Sequence, residues 1–91
     1  MLRVGQFISQ EITVLFAAKP GPPTAFVWNG VEYTIARVRD AQRRLDFRKP
    51  WFSRRHRDYY VVETEAGGIF EIYFQRGPGR RYWVLYKKLE E

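Results

Sequence analysis

The chain has 91 residues, which allows one domain with a single modest core, so any function sits on the outside of that core or in a shallow cleft. Sixteen aromatic residues (three Trp, six Tyr, seven Phe) and an apolar share of 45% exclude a disordered chain, and the lack of cysteine excludes a disulfide framework and a thiolate metal site. The formal net charge is +6, and its distribution along the chain carries more information than its size.

The N-terminal stretch contains VLFAA, but Gln6, Ser9, Gln10 and Glu11 interrupt any export-signal core. No apolar run approaches the roughly 18 residues that a membrane span needs. A soluble, cytoplasmic protein with no membrane partner is the expectation.

Ile12, Val14 and Phe16 alternate strictly with Thr13 and Leu15, which predicts a first strand over about 7–16. Three prolines and a glycine then fall within AAKPGPPT, and because proline removes a donor and fixes φ, residues 17–24 read as a loop. AFVWNGVEYTIARV is the clearest local signal: two β-rich runs flank Asn29-Gly30, a pair suited to a type I′ turn because both positions need positive φ. A hairpin follows.

Residues 39–47 fit two readings. Val38, Ala41 and Leu45 lie at helical spacing, so one short helical turn or a bent continuation of the strand both suit this stretch. Pro50 breaks either, and residues 40–57 read as a basic, aromatic loop. DYYVVETE, GIFEIYFQ and YWVLYKKL then form a meander of three strands joined by AGG and RGPGRR. Phe70, Ile72 and Phe74 alternate with Glu71, Tyr73 and Gln75, which predicts one buried face and one solvated face. Six antiparallel strands in so short a chain predict an all-β fold, a strongly bent sheet closing into a small barrel or half-barrel over residues 1–91 as one domain.

The positive charge is local. Residues 37–57 hold eight arginines and Lys49 against Asp40 and Asp46, a balance of +7, while seven basic and eight acidic residues elsewhere leave −1. Such a field on a near-neutral body suits phosphate binding, because neutralised phosphates release condensed counterions. Arginine adds a planar fork that takes two phosphate oxygens or stacks on a base. The candidate phosphate contacts are Arg43, Arg44, Arg48, Lys49, Arg54, Arg55 and Arg57, with Arg80 and Arg81 on the RGPGRR turn as a second clamp. Trp51, Phe52 and Tyr59 are the candidate base-stacking rings, a combination that favours single-stranded DNA or RNA. Composition leaves a blander reading open, in which the stretch is a solvated loop and Trp51 plugs one barrel end.

Catalytic chemistry finds little support. His56 is the sole histidine, and a triad drawn from Ser53, His56 and Asp58 falls within one presumed loop. Glu63 and Glu65 share a strand face and with Glu71 offer oxygen ligands to Mg²⁺, but pairing of these carboxylates with Arg or Lys across strands is the simpler account. No nucleotide or cofactor fingerprint is present, and neither an enzyme nor a cofactor is expected.

FVWNGVEY at 26–33, RDYYVVET at 57–64, GGIFEIY at 67–73 and YWVL at 82–85 resemble a small bacterial domain. That domain occurs alone or near, and sometimes attached to, lesion-bypass DNA polymerase-like proteins. The resemblance covers about residues 24–87, leaves out the first strand and the proline loop, and supplies no catalytic residue. It implies a bacterial module linked to DNA repair. Two functions stand as expectations: a nucleic-acid-binding accessory in repair or replication, or a protein-interaction module that docks a polymerase or another acidic partner. A homodimer through an unpaired strand edge is compatible with both.

Overall fold

A computed structural model of the protein describes residues 2–45, 56–77 and 79–91, with the side chains of 43–45 left aside. Six strands, β1 (Arg3–Phe16), β2 (Pro23–Trp28), β3 (Val31–Leu45), β4 (His56–Thr64), β5 (Ile69–Gly77) and β6 (Tyr82–Glu90), pair in sequence order into a closed antiparallel barrel. The described residues include no helix, so none is long and apolar enough to cross a membrane.

Two long, bent strands make closure possible with so few residues. The C-terminal part of β1 pairs with β2 from Thr13 to Phe16, while Arg3 to Ile12 pair with β6. In the same way β3 pairs with β2 through Val31–Thr34 and with β4 through Ile35–Leu45. Bulges at Val4/Gln6 and Phe7/Gln10 in β1, and at Ile35/Arg37 and Val38/Asp40 in β3, supply the bends. Residues 40–45 and 56–57, expected in a loop, are therefore strand, and the bent-strand alternative prevails over a helical turn up to Leu45. The bulge between Val38 and Asp40 shifts the two-residue period, so Val38 and Ala41, three apart, take equivalent strand positions.

The hairpin at Asn29-Gly30 forms as its dipeptide predicts, with φ of 52° and 75°. Pro23 belongs to β2 as its first residue, a position where a missing donor is tolerated. Phe26, Val62, Ile72 and Leu85 are wholly buried at the centre of the barrel, each worth about 1.5–3 kcal/mol relative to exposure. Phe26 stacks on Tyr33 at 5.1 Å and meets Phe70 edge-on at 5.5 Å. Trp83 packs against Phe74, Tyr60 and Phe16 at 5.1, 5.5 and 5.9 Å. Trp51, the tryptophan weighed as a plug, lies outside the described residues.

Since every pairing is antiparallel, alternate connections fall at alternate ends. The top of the barrel carries the β1–β2 loop, the ends of β3 and β4 at Leu45 and His56, and the β5–β6 hairpin. The bottom carries the β2–β3 and β4–β5 turns and both chain termini.

Candidate functional site

Residues far apart in sequence meet at the top because of this alternation. A division can be drawn between the row Gln42–Tyr59–Tyr73–Val84–Glu11 and the row below it, Asp40–Val61–Glu71–Lys87–Phe7. Among the described residues, the top holds Lys19, Arg43, Arg44, Arg57, Arg76, Arg80 and Arg81 against Glu11 and Asp58, seven less two for +5. The bottom holds five basic and seven acidic residues, a balance of −2. The sequence that joins Leu45 to His56 contributes Arg48, Lys49, Arg54 and Arg55 against Asp46, the remaining +3. One end of the barrel is thus electropositive and the other mildly negative.

Three ion pairs take up half of the bottom charges. Arg37 Nε donates to Glu63 at 2.5 Å, Arg39 Nη1 to Glu91 at 2.9 Å, and Lys87 Nζ lies 3.9 Å from Glu71. These cross-strand pairs use two of the three carboxylates considered as Mg²⁺ ligands, while Glu65 lies in the turn beyond β4. Among the described residues no cluster of three His, Asp or Glu side chains is arranged to hold a metal.

At the top Arg57, Arg76 and Arg80 are each held by protein partners. Arg57 Nε donates to Gln75 at 3.0 Å and Nη1 to the Tyr59 hydroxyl at 3.2 Å, and its guanidinium lies 4.6 Å from the centre of the Tyr73 ring. All three partners are neutral. Burial opposes the charge on Arg57, but the hydrogen bond to Tyr59 and the surrounding phenol groups outweigh it and raise its pKa above the ordinary value. Register places Arg44 directly opposite Arg57 and Arg43 opposite Asp58.

The hairpin tip is organised differently. Gly77 and Gly79, at φ of 116° and 97°, adopt a backbone that other residues rarely take, and the turn returns Arg80 towards β1. Arg80 donates from both terminal nitrogens to the Glu11 carboxylate, Nη1 to Oε1 at 2.8 Å, and also lies 5.0 Å from the Tyr82 ring. The hydrogen bond from Arg80 holds Glu11 below the usual carboxylate range. Arg80 therefore ties the hairpin to β1, and both Arg80 and Arg81 are exposed. Arg76 Nε lies 3.1 Å from Asp58 and its Nη2 is 3.5 Å from His56 Nδ1. Of the triad considered above, His56 and Asp58 thus face an arginine, and Ser53 lies outside the described residues.

A second aromatic cluster covers the outer wall of β4, β5 and β6. Tyr59, Tyr73 and Val84 are buried there, with Tyr82 and Tyr86 packed against them. Ring centres are 5.2 Å apart for Tyr59–Tyr73, 5.6 Å for Tyr73–Tyr86 and 6.1 Å for Phe7–Tyr86. Two expectations fail on this point. The face of β5 that bears Glu71, Tyr73 and Gln75 is buried, not solvated, because rings from neighbouring strands lie over it. Tyr59 is 8% exposed, so it forms part of the cluster's floor and offers no ring face for a base to stack on.

Of the residues expected at the site, the fold brings Arg43, Arg44, Arg57, Tyr59, Arg80 and Arg81 to one end. Arg48, Lys49, Trp51, Phe52, Arg54 and Arg55 lie outside the described residues. Sequence reading missed Phe7, Tyr73, Tyr82, Tyr86 and Lys87. The alternation Tyr82, Val84, Tyr86, set against Tyr73 across the RGPGRR turn, was the signal that would have found the outer tyrosines.

No curated protein and no solved structure matches the chain. A family match does exist, and it runs from the first residue of β1 to the last of β6, so it takes in the strand and proline loop that lay outside the sequence resemblance. Residues 3–90 match the domain of unknown function DUF6504, and the chain belongs to that family.

Proposed function

We propose that the protein is a non-catalytic nucleic-acid-binding module whose electropositive barrel end grips phosphates. The separation of charge between the two ends carries this reading: +5 at the top against −2 at the bottom, with three further positive charges in the sequence that joins β3 to β4. Arg57, oriented by neutral partners, has the geometry of a pre-positioned anion contact. The resemblance to domains that accompany lesion-bypass polymerase-like proteins supports a role in bacterial DNA repair or replication.

Salt dependence of binding tests the reading. Each phosphate neutralised on a single strand contributes about 0.7 to the slope of log affinity against log salt. Arg44→Ala together with Arg81→Ala should weaken binding and flatten that slope by about 1.4. An unchanged slope would remove both residues from the site.

Exposed apolar groups on β1 favour a second reading, docking of a protein partner such as a polymerase. Phe7 is 65% and Val4 41% exposed. A pull-down after nuclease treatment separates the two readings, since a protein partner survives loss of nucleic acid. For a homodimer, the edges of β1 before Thr13 and of β3 after Thr34 lack a β2 partner, but bulges interrupt both and so oppose regular edge pairing.

A further inference from the structure

We infer that this site takes single-stranded nucleic acid in preference to duplex, and that unstacked bases lie on an aromatic track down the outer wall, from Tyr82 through Tyr86 to Phe7. The inference rests on the phosphate-binding reading of the barrel top and adds to it the surface that reads bases.

Two neighbouring backbone irregularities create the track. In β6, Leu85 pairs with Ile72 and Lys87 with Glu71, so one extra residue, Tyr86, is inserted, and both Tyr86 and Lys87 turn to the outer wall. In β1, beside it, the register skips between Phe7 and Gln10, and Ser9 takes a φ of 51°, a left-handed conformation that disfavours a residue with a side chain. Bulges re-aim side chains, and backbone strain concentrates at functional sites. Here the aimed side chain is that of Phe7, a residue 65% exposed, while Tyr59 and Tyr73 of the same outer wall are buried.

Cations, each paired with a carboxylate, sit beside the rings. Lys87 Nζ lies 4.9 Å from the Tyr86 ring and 5.6 Å from the Phe7 ring, between two aromatic groups, and Arg80 lies 5.0 Å from Tyr82. Glu71, 3.9 Å from Lys87, is the more buried partner of that pair. Aromatic rings interleaved with cations hold a strand whose bases are free to stack, and bases paired within a duplex have no free face for Phe7.

Fluorescence anisotropy with labelled oligothymidine and a hairpin duplex of equal length tests this on the full chain. Phe7→Ala should weaken oligothymidine binding about tenfold or more, with the salt slope and the duplex affinity unchanged. Phe7→Trp should restore the loss. The exposure of Phe7 means that the thermal midpoint should scarcely move, and this is checked in parallel. If Phe7→Ala leaves oligothymidine affinity intact, or weakens both ligands equally, the track is refuted while the phosphate site stands. If the unmodified protein binds neither ligand at low salt, the phosphate-binding reading fails and the track falls with it.

Discussion

Two aromatic clusters occupy opposite sides of the same sheet, and they differ in what surrounds the rings. Inside the barrel, Phe26, Tyr33 and Phe70 pack among Ile12, Val62, Ile72 and Leu85, with a single cation, Lys88, 6.0 Å from the Phe70 ring at the cluster's margin. Outside, cations lie over the rings: Arg57 over Tyr73, Arg80 over Tyr82, and Lys87 over both Tyr86 and Phe7. An interior ring contributes mainly by leaving water, and its loss opens a cavity. An exterior ring contributes less to folding and more to fixing a positive charge at a chosen point on the surface. The abundance of aromatics in this small chain therefore serves two ends, a core and a charged wall.

Truncation should separate the clusters. Phe26→Ala is expected to cost about 3–5 kcal/mol, close to the whole stability of a domain this size, with denaturant unfolding as the measurement. Tyr73→Ala should cost less, about 2 kcal/mol, and should also loosen Arg57 and so weaken anion binding. Tyr73→Phe keeps the ring beneath the guanidinium and should leave both properties nearly unchanged. Equal losses from Phe26→Ala and Tyr73→Ala would erase the distinction drawn between inner and outer clusters.

Titration sharpens the same contrast with smaller effects. Burial raises the Tyr73 phenol above its ordinary pKa of 10.0, although Arg57 pulls it the other way. A neutral phenol held in the fold contributes stability that is complete below the unfolded value and is lost as pH rises above it. One tyrosine should thus lag the others in phenolate absorbance on alkaline titration, and Tyr73→Phe should abolish the lag. At the acid side, the depressed Glu11 pKa means a contribution present above the ordinary 4.5 and lost as pH falls through the lower folded value. Glu11→Gln should flatten this acid limb, by the smallest amount of the set, since the pair with Arg80 is exposed.

Much of the barrel was legible because its signals are local. Asn29-Gly30 specifies its own turn, and the short links between β4, β5 and β6 leave little choice but a meander. The second half of β3 was not legible, since bulges at Ile35/Arg37 and Val38/Asp40 break the two-residue period on which a strand is recognised. The outer cluster escaped notice for another reason. Tyrosine is amphipathic, so alternation alone does not tell whether Tyr73 faces water or a second layer of rings. The tie between Arg80 and Glu11 spans 69 residues of sequence and becomes visible only once β1 and β6 are known to be neighbours. The clustering of arginine at 37–57 was evident from the start, but that Arg76, Arg80 and Arg81 share an end with Arg43, Arg44 and Arg57 depends on strand order.

The proposed role of the electropositive end is tested most directly by anisotropy of labelled single-stranded DNA, duplex DNA and RNA with the unmodified protein over a salt series. Binding at micromolar or lower concentration, with log affinity falling steeply against log salt, is the expected result. Absence of binding to all three at low salt would contradict it, and the polarised charge of the barrel would then have to be explained by an acidic protein partner.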